Sequence, residues 1–305
     1  MDHTQRQEFN YHEEEGAYFE GWYCKTVTKE LSLAVIFGIS RTENRSYGFI
    51  QTNDTIQGSY YEEFAWEELQ IQALHSNIRF GDNQLTLTGM VLALKNGLSC
   101  TLQFQELVDL KRSWYQPTIM GPFTYAKIME CYHSVISLHH HTSGSILLQN
   151  HIYDGSGIGY MEKDRGNSFP STYLWFQSNH CQHSNSCFFL SVASIPFHGI
   201  SFTGCICTLM IEGKQKRFAT YLGCRVRILK ERNIVIVRQY PYKLLIKLYP
   251  DKSHALLAPH QGAMNIRIEE SLTSRAEVHV YKQEQQLHRY IFDHGGYEDH
   301  LMIIE

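Results

Sequence analysis

The chain has 305 residues, 43% hydrophobic and 19% charged, so it carries ample apolar material for a core and is not a disordered segment. Its 27 Lys and Arg against 31 Asp and Glu give a net charge of −4, which excludes bulk attraction to nucleic acid or to an anionic membrane. Seven Pro argue against Pro-rich linkers or stalks.

From the N-terminus, Met1 to Arg6 is polar and runs into Glu13-Glu14-Glu15, with no apolar segment of the kind that opens a secretory signal. No apolar run reaches the ~18 residues of a membrane helix. The eight Cys lack a regular framework and read as reduced thiols. These features predict a soluble, cytoplasmic protein; a peripheral membrane contact and the oligomeric state stay open.

The dominant hydrophobic period is two. Residues 31–39 and 46–51 read as strands, and three hairpins follow, turning at 81–83, 95–97 and 142–144. Residues 114–131 break the rhythm with a loop and a short helix around Met120-Gly121-Pro122-Phe123, and 153–170 is expected to be irregular, rich in Gly and charge. Gly155-x-Gly157-x-Gly159 lacks the spacing of a dinucleotide loop and reads as a turn. Short β-branched and aromatic runs resume from Tyr173 and continue to Phe292. The pattern predicts an all-β protein of roughly 16–20 strands, too many for one small barrel. Two barrel-like halves, 1–160 and 161–305, are the expected partition.

Two stretches carry candidate chemistry. In the first, Glu20 sits among Phe19, Trp22 and Tyr23; apolar surroundings raise a carboxyl pKa and would keep Glu20 protonated as a general acid, the alternative being an exposed carboxylate beside aromatics that merely pack. In the second, Tyr160, Glu162, Lys163, Asp164 and Arg165 form a dense polar stretch, read either as site or as a solvated, self-paired interdomain linker. Downstream, Trp175, Gln177 and Asn179 share one strand face, with His180 beside them, which suits the polar floor of a ligand cavity. His139 and His141 share a side of a strand, Cys205 and Cys207 likewise, and Cys131 and His133 stand two apart; none has companions at zinc-site spacing, so no metal and no cofactor is expected. Gly-x-Ser-x-Gly and phosphate-loop motifs do not occur.

Phe19-Glu20-Gly21-Trp22-Tyr23-Cys24-Lys25 resembles the Phe-Glu-Gly-Trp-Tyr-Phe-Lys opening of the tocopherol cyclase family. The run from Gly159 to Pro170, with Glu162-Lys163-Asp164-Arg165-Gly166, resembles that family's central Glu-Lys-(Asp/Asn)-Trp-Gly-x-x-Phe-Pro signature, and Trp175-x-Gln177-x-Asn179 continues it. Met120 to Phe123, Met129-Glu130-Cys131-x-His133 and Pro259-x-x-Gly262-x-Met264 extend the similarity over nearly the whole chain. The resemblance implies two lipocalin-like antiparallel β-barrels packed together, and distant kinship with carotenoid hydratase-like two-barrel proteins. It also implies proton-initiated cyclisation of a prenylated hydroquinol, an ether-forming isomerisation in which an acid protonates an alkene and a phenol oxygen captures the cation. On that reading Glu20, Glu162 and Asp164 are candidate acids; Trp22, Tyr23, Tyr160 and Trp175 are aromatic walls; and Gln177, Asn179 and His180 orient the phenol. Two positions depart from the family pattern, Arg165 for Trp and Cys24 for an aromatic; Arg165 is expected to pair with Glu162 or Asp164, or to receive a polar head group. A lipocalin-like carrier of a hydrophobic ligand and an alkene hydratase are the competing expectations.

Overall fold

The computed structural model describes residues 7–12, 14–71, 77–126, 129–197 and 200–301; the polar start Met1 to Arg6 and Glu13 lie outside them. The chain is nearly all β, with 69% of residues in strands. No helix among the described residues is long and apolar enough to cross a membrane.

One sheet is built from β1 (Tyr18–Thr28), β2 (Ser32–Arg41), β3 (Ser46–Asp54), β4 (Gly58–Ala65), β5 (Leu69–Ile71) and β6 (Asn77–Phe80). It continues with β7 (Asn83–Thr86), β8 (Gly89–Ala93), β9 (Ser99–Val108), the long β10 (Cys131–Leu148), β11 (His151–Asp154) and β12 (Gly157–Gly166). The pairing order is β4-β3-β2-β1-β12-β10-β9-β8-β7-β6-β5, with β11 on β10, so the first and last thirds of the sheet meet where β1 joins β12. The second sheet comprises β13 (Tyr173–Ser178), β14 (His180–Cys181), β15 (Cys187–Phe197), β16 (Ile200–Ile211), β17 (Lys214–Ala219) and β18 (Arg225–Leu229). It is completed by β19 (Ile234–Gln239), β20 (Tyr242–Tyr249), β21 (Ser253–His260), β22 (Ala263–Lys282) and β23 (Gln285–Asp299). Both sheets are antiparallel and lipocalin-like, and one of them is a nearly closed barrel.

Alternation explains the strands. In β6, β8 and β9 as far as Phe104 every second residue is buried, and those residues (Ile78, Phe80, Met90, Leu92, Cys100, Leu102, Phe104) join the first core with Trp22, Phe37 and Met161. In the second sheet Phe176, Phe188, Val237, Ile246 and Phe292 do the same. β1 and β2 differ, being buried along almost their whole length on both faces. Polar residues on such strands require internal partners, because an unpaired buried charge costs several kcal/mol.

The chain divides into two compact units, and each includes a stretch remote in sequence from the rest of it. The first holds residues up to Leu110, Glu130–Phe169 and Ala255–Arg267; the second holds Lys111–Met129, Pro170–His254 and the remainder. The division expected near residue 160 falls within β12, and the chain passes between units at Phe169 and Pro170. Within the first unit the 255–267 stretch is held at Gln51, whose side chain accepts from Leu257 N (2.8 Å) and donates to Leu257 O (3.1 Å), and at Ser40, which donates to Gly262 O (2.7 Å). Gly262 has φ +76°, and a Cβ there would stand 2.0 Å from Arg41 O. Within the second unit Arg217 holds the 111–129 stretch, donating to Gln116 Oε1 (2.9 Å), Thr118 O (3.2 Å) and Lys111 O (2.6 Å).

Three local expectations are corrected. Residues 153–170 are not irregular: they contain β12, whose charges alternate between two faces and so hide its periodicity. The hairpin turn expected at 142–144 lies at Gln149-Asn150 (φ 51° and 61°), the left-handed pair a two-residue hairpin requires. Gly144 instead admits a close neighbour, since a Cβ there would meet Thr101 O at 2.0 Å. Gly157 and Gly159 are likewise strand residues, Gly159 making room for the His140 ring, 2.2 Å from where a Cβ would stand. The short helix expected around 120–123 is present as a 3-10 turn, Gly121–Tyr125.

Candidate active site

The β1–β12 pair determines which candidates meet. Its register sets Glu20 opposite Arg165, Trp22 opposite Lys163 and Tyr23 opposite Glu162. Directly opposed residues share a face. Tyr18, Glu20, Trp22, Lys163 and Arg165 therefore lie on the face that carries the core, while Tyr23, Tyr160, Glu162 and Asp164 lie on the other. The three acids fall into two separate clusters.

On the core face Glu20 is fully buried and satisfied. Lys163 Nζ stands 2.8 Å from Oε1; Tyr18 OH (2.7 Å) and His12 N (3.0 Å) donate to Oε2. The ammonium also donates to Asn10 O (2.8 Å) and lies 5.5 Å from the Trp22 ring, whose indole N–H donates to Phe9 O (2.7 Å). Burial pushes Glu20 up, but the Lys163 charge and the His12 hydrogen bond outweigh it and hold the carboxyl below its ordinary value. Glu20 is thus an ionised brace, correcting the expectation of a protonated acid. Arg165 pairs with Glu14 and lies 4.4 Å over the Tyr132 ring, on the face away from Glu162 and Asp164, so it neutralises neither of them.

On the opposite face β10 contributes His133, register partner of Asp164. His133 Nδ1 is 2.8 Å from Asp164 Oδ1, and Nε2 is 3.5 Å from Glu162 Oε2. Tyr160 OH donates to the same Glu162 oxygen (2.5 Å), and Cys131 Sγ lies 3.6 Å from Asp164 Oδ1. Burial alone would lower the His133 pKa; the Asp164 and Glu162 charges overcome it and raise it to about 9, so the ring is an imidazolium at neutral pH. Burial and the Asp164 charge push the Cys131 thiol well above its ordinary value, which leaves it a poor nucleophile. One donor atom each from His133, Glu162 and Asp164 lies within 4.8 Å of the others, a spacing that would admit a cation in place of the imidazolium proton. The arrangement is an imidazolium between two carboxylates, hydrogen-bonded to Asp164 through Nδ1, with Nε2 3.5 Å from Glu162.

The remaining candidates belong to the second unit. Trp175 and Gln177 are buried on the face of β13 opposite Leu174 and Phe176, which join the core, and Gln177 donates to Asn179 Oδ1. His180 packs its ring 5.1 Å from that of His294. His139 and His141 share a side as expected, with ring centroids 5.4 Å apart. Burial, then the neighbouring imidazoles, lower the His139 and His140 pKa values to about 4 and 3, so both rings are neutral.

His12, Tyr18, His133 and Lys163 take part in these clusters without having been singled out as site residues. His133 stands in the Cys131-x-His133 motif, and Lys163 lies between two chosen acids. Reading 157–166 as a strand would have separated Lys163 from Glu162 and Asp164.

Fold and clusters define a two-barrel, lipocalin-like β protein with a buried acid–imidazole set on one barrel strand pair. Among solved structures, the chain is similar to a protein assigned as AttH from Nitrosomonas europaea (11% identity, TM-score 0.58, 97% of this chain and 96% of that one). It is also similar to CghA (9%, TM-score 0.57, 93% and 88%) and to kievitone hydratase from Nectria haematococca (11%, TM-score 0.52, 97% and 92%). No family model and no curated protein matches the sequence.

Proposed function

We propose that the protein is an enzyme of the alkene hydratase/cyclase type, acting on a hydrophobic, prenylated aromatic substrate in the manner of a tocopherol cyclase. The observation that carries this reading is the set Tyr160, Glu162, His133 and Asp164, in which the His133 ring is hydrogen-bonded to Asp164 and stands 3.5 Å from the Tyr160-held Glu162 carboxylate; on this reading the imidazolium is the proton store. An apolar substrate covering the set removes residual water and disfavours separated charges. The imidazolium proton then moves from His133 Nε2 to Glu162, and the neutral carboxyl protonates the alkene. The resulting tertiary cation is captured by the substrate's own phenol oxygen, whose proton returns to Glu162; the product is an isomer and no redox partner is consumed. Capture by water would give the hydrated product. Tyr160 fixes the Glu162 carboxyl, and Tyr23, its register neighbour, offers an aromatic face to the cation. The likeness of fold to a kievitone hydratase supports the reaction class.

The test is incubation of the purified protein with a prenylated hydroquinol in deuterium oxide. One deuterium on carbon in a chromanol of otherwise unchanged composition is the expected result. Incorporation of solvent oxygen would select hydration. Absence of turnover, with substrate affinity unchanged in Glu162→Gln and Asp164→Asn, would make the protein a carrier.

A further inference from the structure

The overall charge of −4 conceals one strongly basic face on the second sheet. The register of β18, β19 and β20 sets Arg225, Arg238 and Lys243 side by side on the face away from the core. The next row runs Arg227, Ile236, Leu245, His279, Arg289, and the next Ile234, Lys247, Glu277, Ile291. Arg275, beside Tyr249, continues the pattern. Seven Lys and Arg thus share the face with three carboxylates, Glu277, Glu284 and the exposed Asp293, of which Glu277 and Glu284 are already engaged. Glu277 takes Arg289 Nε (2.7 Å), His279 Nε2 (2.6 Å) and Tyr249 OH (3.1 Å), and Glu284 takes Lys243. Arg225, Arg227 and Arg238 are exposed and form no salt bridge with a described residue. Like charges directly opposed on neighbouring strands are destabilising; Glu284 offsets the Arg225-Arg238-Lys243 row at Lys243 and Arg238, and the cationic excess that is left suits an anionic partner.

We propose that this face docks on an anionic lipid bilayer. Aliphatic residues, Ile234, Ile236 and Leu245, lie between the cations, which suits the boundary between head groups and acyl chains. Nucleic acid fits less well, since single strands need open aromatic faces for stacking. The two tyrosines on the strands of this face are covered by their own cations, Tyr281 by Lys243 (4.4 Å) and Tyr249 by Arg275 (4.5 Å), and the exposed Tyr240 in the β19–β20 turn is a single ring where stacking of successive bases uses several. A bilayer contact would let the protein meet a substrate dissolved in lipid, but the inference stands on the charge lattice and not on the reaction.

Co-sedimentation with vesicles tests it. The 305-residue protein is expected to bind phosphatidylcholine vesicles containing about 30% phosphatidylserine, to ignore pure phosphatidylcholine, and to detach between ~50 and ~500 mM salt. The triple variant Arg225→Gln/Arg227→Gln/Arg238→Gln should partition about 100-fold more weakly, at roughly fivefold per cation removed. Lys29→Gln/Arg79→Gln/Lys252→Gln, which removes the same charge from exposed sites elsewhere, should bind normally. Equal loss in both triples, no anionic preference, or tighter binding to a single-stranded oligonucleotide than to the vesicles would overturn the proposal. Unchanged urea midpoints in both variants keep the comparison free of folding defects.

Discussion

At Glu20 and Lys163 a salt bridge with almost no exposure is closed by a neutral donor on the carboxylate, Tyr18 OH, and a neutral acceptor on the ammonium, Asn10 O. Removing one charge strands the other, so Glu20→Gln should lower stability by about 3–5 kcal/mol in urea unfolding, whereas Glu20→Leu with Lys163→Met should recover most of the loss. Equal destabilisation by single and double variants would show that the pair does not act as one unit. Because the folded carboxyl lies below its ordinary value, its contribution is present at neutral pH and is lost on acidification below the usual carboxylate range. His133 has the opposite sign. Its folded pKa of about 9 lies above the unfolded value, so its stabilisation is complete below ~6.5 and disappears as pH rises through about 9. The imidazole resonances should titrate near 9, and His133→Gln should flatten the alkaline limb of the stability profile. Arg165→Trp changes the core-bearing face, not the acid–imidazole face. It should leave turnover within about twofold while altering thermal stability, in the range typical of single substitutions.

The strand β12 shows what the sequence conceals and why. Tyr160, Glu162 and Asp164 are recognisable as site candidates from their polarity, and their spacing by two is the signature of one strand face. Lys163 and Arg165 interrupt that signature because the opposite face is also buried and also polar, so average polarity suggests a loop where the backbone is a strand. His133 is harder still: only the β10–β12 register, with its irregularities between Val135 and His140, brings it to Asp164 from 31 positions away. Periodicity does reveal the all-β class, the hairpins at 81–83 and 95–97, and the shared face of Trp175 and Gln177. Two variants of adjacent residues distinguish the faces. Glu162→Gln should reduce turnover by about 10²–10⁴-fold with a modest change in stability, while Lys163→Met should unfold readily before any kinetic effect is measurable. Similar phenotypes for the two would place both groups in one environment.

Across the whole chain, the division into units does not follow sequence order, and no local propensity announces it. The stretch 255–267 is tied to the first unit through Gln51, Ser40, Asn167 and Ser168, and 111–129 to the second through Arg217 and Tyr221. A fragment ending at Phe169 should therefore be incomplete, with amides near Ser40 and Gln51 exchanging faster than in the full chain. A synthetic peptide of residues 253–268 should restore their protection; a fragment already as protected as the full protein would contradict this assignment.

The two exchanged stretches also constrain how the molecule comes off the ribosome. The last ties of the N-terminal barrel lie beyond residue 255, so this barrel waits, unsealed, while the second unit's Lys111–Met129 and Pro170–His254 are translated. Vectorial folding of one finished domain after another is closed to this chain, and the interval before Gly262 emerges is when a chaperone or a misplaced strand would find it.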